Sequence, residues 1–402
     1  MEKSISLKNV LISIIKSIDM YNFLLKDHHR RTAIIAYQLG NAYGLEDEQL
    51  SNLILAASIH DIGALSVVER DQLIKIDVED PEPHEILGEK IIKEFKPFDQ
   101  IGKIIRHHHI VHQDVLSGKV QESEVPLECY FLHLADRVDI LLTANTDLNT
   151  QRKIVSDSIN ERFGTIFSPL LERTFNDIVK LEDFWDSINQ SSFYDLLFMS
   201  VDNEYYNLED NDMEDLALLF ARVVDYKSSW TTTHSQSVGI LARRIGELLE
   251  FDPEICFELK IAGYLHDVGK VGISTEVLDK PGKLEEQEYK MMKRHALYSS
   301  LILSNIEGLK NITKWAVNHH EKRDKSGYPM KLSKDHFSIE MDVIAFADIF
   351  TALAEDRPYR NGMSSENIVK ILAEFVPDQL NESVFQAIRL NIDELYSLQH
   401  NL

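Results

Sequence analysis

Seven residues in the second half of the chain have the types and spacing of a metal centre: His234, His266, Asp267, His295, His319, His320 and Asp348. They fall on the inward faces of helical patterns. His234, Val238, Leu241, Ile245 and Leu248 step by four and three residues, as do Met292, His295, Ser299 and Ile302, and Ile312, Trp315, Ala316 and His319. A lone histidine on an apolar face is usually a hydrogen-bonded core residue. Five histidines and two aspartates buried together without a counter-charge would be very costly, and a metal centre removes that cost. Adjacent His266 and Asp267 point about 100° apart on a helix, so one carboxylate could bridge two ions. One partition gives a first ion His234, His266, Asp267 and Asp348, and a second ion Asp267, His295, His319 and His320. Two divalent ions against two carboxylates leave a positive centre that brings a water toward hydroxide near neutral pH. Imidazole-rich ligation suits iron, manganese, zinc or nickel better than magnesium or calcium.

The scaffold for these residues is written twice. His60-Asp61 and His266-Asp267 are 206 positions apart, and so are His28 and His234, Ala36 and Ala242, and Gly40 and Gly246. Upstream, Val10, Ile14, Ile18 and Asp19 face Leu216, Phe220, Val224 and Asp225 at the same offset. Farther on, the offset is 211 for His84 and His295, and 212 for Asp136 and Asp348, as small loop insertions would give. The periodicity is helical almost throughout and alternating strand patterns are absent. The expectation is an all-α protein of two tandem helical bundles, one over residues 1–200 and one over 205–402. Their join lies near 195–212, where VDNEYYNLEDNDMED is acidic and weakly periodic.

Composition sets the outer limits. A chain of 402 residues, 44% hydrophobic, is long enough for two cores. No run approaches ~18 apolar residues, and MEKSISLKNV lacks a signal-peptide pattern, which predicts a protein away from the membrane and in the cytoplasm. Cys129 and Cys256 are far apart, with no thiolate zinc spacing. A formal net charge of -24 repels duplex nucleic acid and anionic membrane. A phosphate substrate would need local cations.

Three motifs then carry a resemblance: HDVGK at 266–270, HHEKRDKSGYP at 319–329 and ADIFTALAEDRPYR at 347–360. With His234 and His295, residues 212–365 resemble the HD superfamily of metal-dependent phosphohydrolases, most closely its HD-GYP branch. The resemblance implies hydrolysis of a cyclic dinucleotide, either cyclic di-GMP to linear pGpG and sometimes GMP, or 3′,3′-cyclic GMP-AMP. It places the seven metal-binding positions on the seven residues above. Asp267 and Lys270 become the catalytic pair, with Lys270 near the leaving oxygen as proton donor or charge stabiliser. Gly327, Tyr328 and Pro329 match the GYP loop, and Arg357 and Arg360 match a basic pair that would hold phosphates. Taken singly, the lysine and arginines would read as solvated charges, and the loop as an ordinary turn. Two departures stand out. Some members carry a glutamate four residues before the first histidine to support a third metal; Trp230 stands there, which implies a dinuclear centre. The usual loop glycine is replaced by Lys325, which implies a reshaped loop and an altered substrate preference. Rival readings are a non-catalytic cyclic-dinucleotide receptor or scaffold, a phosphohydrolase of another nucleotide, and an oxidative di-iron enzyme.

The first copy also offers ligands: His28, His60, Asp61, His84, His107, His108 and Asp136. The gap from His108 to Asp136 is 28, as from His320 to Asp348, which favours His107–His108 over His108–His109 within the triple run. His29 beside His28 leaves a similar alternative. Ala64 replaces the lysine, and neither GYP nor R-P-Y-R follows. This copy is expected to be degenerate, a second metal site or a structural relic of one. It is expected to pack on or regulate the second domain, with a homodimer as a candidate assembly.

Overall fold

The computed structural model describes residues 3–6, 9, 10, 12–15, 27–64, 82–142, 148–200, 205–208, 210–227, 234–306, 308–356 and 361–400. Trp230, Arg357 and Arg360 lie outside them. The fold is all-α, with one two-stranded ribbon in which β1 (Lys3–Ser6) pairs with β2 (Tyr205–Leu208). Four-residue strands are too short to leave an alternating pattern in the sequence. The chain forms two compact units, Asn22–Tyr205 and Tyr206–Leu402 joined by Met1–Tyr21. This differs from the expected 1–200 boundary. Pairing of β1 with β2 ties the N-terminal segment to the second unit, and there Val10 and Ile14 are fully buried.

Five helices frame the first unit: α1 (His28–Tyr43), α2 (Asp47–Ile59), α3 (Glu82–Lys93), α4 (Asp99–Arg106) and α5 (Leu127–Leu141). Helix α1 stops at Gly44, whose φ of 95° suits glycine and whose N–H donates to Gly40 (3.0 Å). Glu46 and Gln49 form a capping box that starts α2. Helix α1 packs on α2 and α5, and α3 packs on α4 and on the 3-10 turn His60–Gly63. The second unit opens with α6 (Asp210–Lys227) and then repeats the series: α7 (His234–Leu248), α8 (Pro253–Leu265), the 3-10 turn Val268–Gly272, α9 (Arg294–Leu303), α10 (Lys310–Val317) and α11 (Ile339–Ala354). Helix α7 packs on α8 and α11, and α9 on its 3-10 turn. Further helices follow α5 over 148–200 and α11 over 365–400. Among the described residues no helix is long and apolar enough to cross a membrane.

Apolar packing sets the geometry of both bundles. Ile34, Ile35, Leu39, Leu53, Leu132 and Leu134 are fully buried in the first; Val238, Ile245, Leu259, Ile344 and Phe346 are fully buried in the second. Each such side chain contributes about 1.5–3 kcal/mol. The glycine of each HD-x-G run has a specific duty. A Cβ on Gly63 would stand 2.0 Å from the His84 carbonyl oxygen, and one on Gly269 would stand 2.0 Å from that of His295. Only glycine lets the turn carrying the aspartate sit directly against the helix carrying the next histidine.

Candidate metal centres

In the second unit the folded chain brings all seven predicted residues together. His234 opens α7, His266 and Asp267 follow α8 and lead into the 3-10 turn, His295 lies in the first turn of α9, His319 and His320 follow α10, and Asp348 projects from α11. His234, His266 and Asp348 form one group of potential ligands, and His295, His319 and His320 form another. Within each group the ligand atoms lie within 4.8 Å of one another. Asp267 stands between them, with Oδ2 3.1 Å from His266 Nε2 and Oδ1 3.6 Å from His295 Nε2. This is the geometry of a bridging carboxylate.

The histidine protons show which nitrogens are available. Nδ1 of His266 donates to the Gly263 carbonyl (2.7 Å), His295 to Met292 (2.7 Å) and His319 to Ala316 (2.6 Å). A carbonyl only accepts, so each Nδ1 carries a proton and Nε2 is the nitrogen each ring has to offer a metal. Those three Nε2 atoms and Asp267 Oδ1 are buried and have no hydrogen-bond partner. Buried polar atoms are rarely left this way, and a shared cation answers all four at once. The residues present therefore fit divalent ions.

Electrostatics point the same way. Burial, with His320 adjoining, holds His319 well below the usual imidazole range, and burial with His295 brings His320 down to about 3. Burial also pulls on His234, but Asp348 (3.3 Å) and Glu355 (3.0 Å) outweigh it and push it up to about 9. Without an ion, a protonated His234 supplies the cation that Asp348 lacks. Burial would raise Asp267, yet His266 and Lys270 hold it well below the ordinary carboxylate range.

Around this cluster stand the groups that could meet a substrate. Lys270 Nζ donates to Asp267 Oδ2 from the rim, with its side chain 20% exposed. Tyr328 stacks beside His320, ring centroids 4.7 Å apart. A Cβ on Gly327 would lie 2.4 Å from Lys322 N and 2.5 Å from His320 O, so glycine lets the loop lie flat on the histidine pair. The loop has an anchor that sequence reasoning missed: buried Glu321 accepts from the backbone N–H groups of Met330, Lys331 (2.8 Å) and Leu332 (3.0 Å). Lys325 takes φ 65°, the left-handed conformation that glycine there would adopt. The lysine thus holds a backbone conformation that favours glycine, at a cost of about 1–2 kcal/mol.

The first unit holds a parallel cluster. Potential ligand groups are His28–His60–Asp136, His29–His60–Asp61 and Asp61–His84–His108–His109. Asp61 again bridges, with Oδ2 toward His60 (3.4 Å) and Oδ1 toward His108 (3.7 Å) and His84 (3.9 Å). His60 and His108 donate Nδ1 to the carbonyls of Ala57 and Ile105, as their twins do. His28 Nδ1 meets Asp139 Oδ2 (2.7 Å), in the role that Glu355 has for His234, and Arg31 holds Asp139 in turn. Asp136 and Asp139 push His28 up to about 10 against the pull of burial.

One ligand expectation is corrected here. The pair facing the aspartates is His108–His109, and His107 sits half-buried at the end of α4 beside Arg106. The loop from the pair to Asp136 is one residue shorter than in the second copy, so matching the gap of 28 placed the pair one position early. His29 and His133, both buried, also lie against the cluster.

Known proteins resemble this chain in sequence and fold. Residues 25–141 and 219–379 each match a family model described as HD domain. The chain is similar to the 3′3′-cGAMP-specific phosphodiesterase 1 of Vibrio cholerae, 27% identical over 408 residues that cover 99% of this chain and 94% of that protein. A cyclic di-GMP phosphodiesterase of Thermotoga maritima is 35% identical over 168 residues, 41% of this chain and 45% of the relative. The crystal structure of a cyclic GMP-AMP specific phosphodiesterase of V. cholerae superposes with a TM-score of 0.63, covering 97% of this chain and 98% of that one. At 22% identity this is a likeness of fold. Each matched segment is centred on one of the two His-Asp clusters, and on that evidence the chain belongs to the HD-domain family, with two HD domains in tandem.

Proposed function

We propose that the second domain is a metal-dependent phosphodiesterase that opens a cyclic dinucleotide to its linear form. The observation that carries this reading is a seven-donor cluster with three bare Nε2 atoms, rimmed by Lys270 and by the GYP loop. Of the two substrates, 3′,3′-cyclic GMP-AMP is favoured over cyclic di-GMP, because the relative that spans 99% of this chain carries that name.

His234, His266, Asp267 and Asp348 would hold one ion, and Asp267, His295, His319 and His320 the other. Iron or manganese suits this imidazole-rich set first, zinc or nickel next. Bound there, divalent ions supply Lewis acidity to the phosphoryl oxygens and to the attacking water. The chain's own groups do the rest. Hydrolysis adds one water oxygen to phosphorus and breaks the P–O3′ bond, and the 3′ oxygen leaves with a proton. Lys270, held on Asp267, is placed to give that proton or to offset the charge developing on the oxygen. Tyr328 offers a flat face beside His320 for a base or ribose. Arg357 and Arg360, assigned to the phosphates from sequence, complete the proposal. The first domain lacks the lysine, the GYP loop and these arginines, and serves a regulatory or structural part.

The test is full-length protein purified without oxygen, analysed for metal, and assayed with both dinucleotides, the product identified by mass. A linear dinucleotide formed only by metal-loaded protein supports the reading. Tight binding without turnover would replace it with a receptor, and a product that needs oxygen would replace it with di-iron oxidation.

A further inference from the structure

We propose that the first domain carries a closed, structural metal centre in which His29 is an added ligand, occupying the place around the bridging aspartate that Lys270 occupies in the second domain. This stands whether or not the second domain hydrolyses a cyclic dinucleotide.

The repeat isolates the residue. His29 corresponds to Ser235 at the offset of 206, so the imidazole is new to one copy. Its ring is buried, 5.3 Å from that of His28 and 5.1 Å from that of His60. Its Nε2 lies 3.7 Å from Asp61 Oδ2, the oxygen that also faces His60. In the twin, the corresponding oxygen of Asp267 faces His266 and takes the hydrogen bond from Lys270. One domain brings an ammonium to that oxygen, which cannot ligate. The other brings an imidazole, which can, and has Ala64 where the lysine would start.

Donor counts then separate the centres. The His28 side holds two ligand groups that share His60, His28–His60–Asp136 and His29–His60–Asp61, and so offers five protein candidates in all. Its counterpart has four: His234, His266, Asp267 and Asp348. Catalytic metal sites keep a position open for water or substrate, and structural sites fill it with protein. Access differs in the same sense. The Asp348 side chain is 16% exposed and that of Lys270 20%, whereas Asp136 is 1% exposed and its Oδ2 is taken by buried Arg137. An ion is nevertheless called for in the closed cluster, because His60 Nε2, Asp61 Oδ1, His109 Nε2 and Asp136 Oδ1 are buried with no hydrogen-bond partner. Six imidazoles (His28, His29, His60, His84, His108 and His109) with the carboxylates of Asp61 and Asp136 select a borderline divalent transition ion such as iron, manganese, zinc or nickel.

The test reads metal directly. Full-length protein is loaded without oxygen with manganese or zinc, desalted, and its metal release to a chelator followed. The wild type should release ions in two classes, and His266→Ala with Asp267→Ala should leave only the slow class, about two per chain. In that background His29→Ser, which installs the twin's residue, should speed slow release at least about tenfold. It should also shrink the rise in Tm on metal loading, with the Tm of metal-free protein little changed. His29→Gln keeps the bulk of the side chain and should behave alike if the serine variant folds poorly. Unchanged release in both His29 variants would overturn the ligand assignment, and a background variant that retains no metal would overturn the centre itself.

Discussion

The two clusters share nearly all of their inner parts and differ at the edges. Both bundles place a histidine at the start of a helix, an HD turn seated by glycine, a histidine on the next helix, a histidine pair after the fourth and an aspartate on the fifth. Both lock their ring protons on backbone carbonyls. The differences are Lys270 against Ala64, the GYP loop against a short helix at His112–Leu116, Ser235 against His29, and a partly exposed Asp348 against an Asp136 clamped by Arg137. On the proposed reading, holding metal and performing chemistry are separable properties of this fold. The first resides in the helix faces, and the second in what borders them.

The largest effect should come from destroying one cluster at a time. In full-length protein, His266→Ala with Asp267→Ala removes the bridging carboxylate and should lower turnover by roughly three orders of magnitude or more, as the loss of several kcal/mol of transition-state stabilisation implies. His60→Ala with Asp61→Ala should leave hydrolysis measurable and change metal content and Tm instead. Turnover surviving the first pair and lost with the second would reverse the assignment of the domains.

Next in size is the lysine that only one copy has. Lys270→Ala should retain both ions, because the amine is no ligand, yet lower kcat by about 10²–10⁴ as expected for a lost proton donor. Metal analysis and kcat measured on the same preparation separate the two effects. Unchanged kcat would mean that Ala64 gives no reason to read the first domain as inactive.

A smaller effect should follow from the carboxylate behind the first histidine. Glu355→Ala removes the acceptor of His234 Nδ1 and should weaken metal affinity by about 10–100-fold, so that activity returns as metal is added. A kcat that stays low at saturating metal would assign Glu355 to the reaction itself.

That carboxylate also marks where sequence reading stopped. The fold class, the repeat and the convergence of the seven residues of the second copy were legible because helices of similar length keep their offsets nearly constant. Supporting groups need only reach the same atom, and they do so from unrelated positions. Asp139 lies three residues beyond Asp136, but Glu355 lies seven beyond Asp348, so no offset pairs them. The histidine pair was misread for the converse reason. His108 and His109 match His319 and His320 at 211, the offset already shared by His84 and His295, and the single-residue insertion falls after them. Counting back from Asp136 crossed that insertion. The β1–β2 ribbon is too short for any periodic signal, and the role of Glu321 depends on a loop folding back over the residue that precedes it.

The smallest expected effect concerns the loop itself. Lys325 is exposed and holds φ 65° at a cost of about 1–2 kcal/mol, part of which Lys325→Gly should recover. Glycine gives back about 0.5–1 kcal/mol through the greater freedom of the unfolded chain. The net gain should be about 0.5 kcal/mol, a rise of one or two degrees in Tm. If the lysine is only a strained substitute, kcat/KM for either dinucleotide should stay within about threefold, since about 0.65 kcal/mol corresponds to that factor. A larger loss, confined to kcat/KM, greatest at low ionic strength and shrinking as salt is added, would make Lys325 a cation that the substrate meets. In that case the border of the second centre includes one more charge that the first domain, with no such loop, never had.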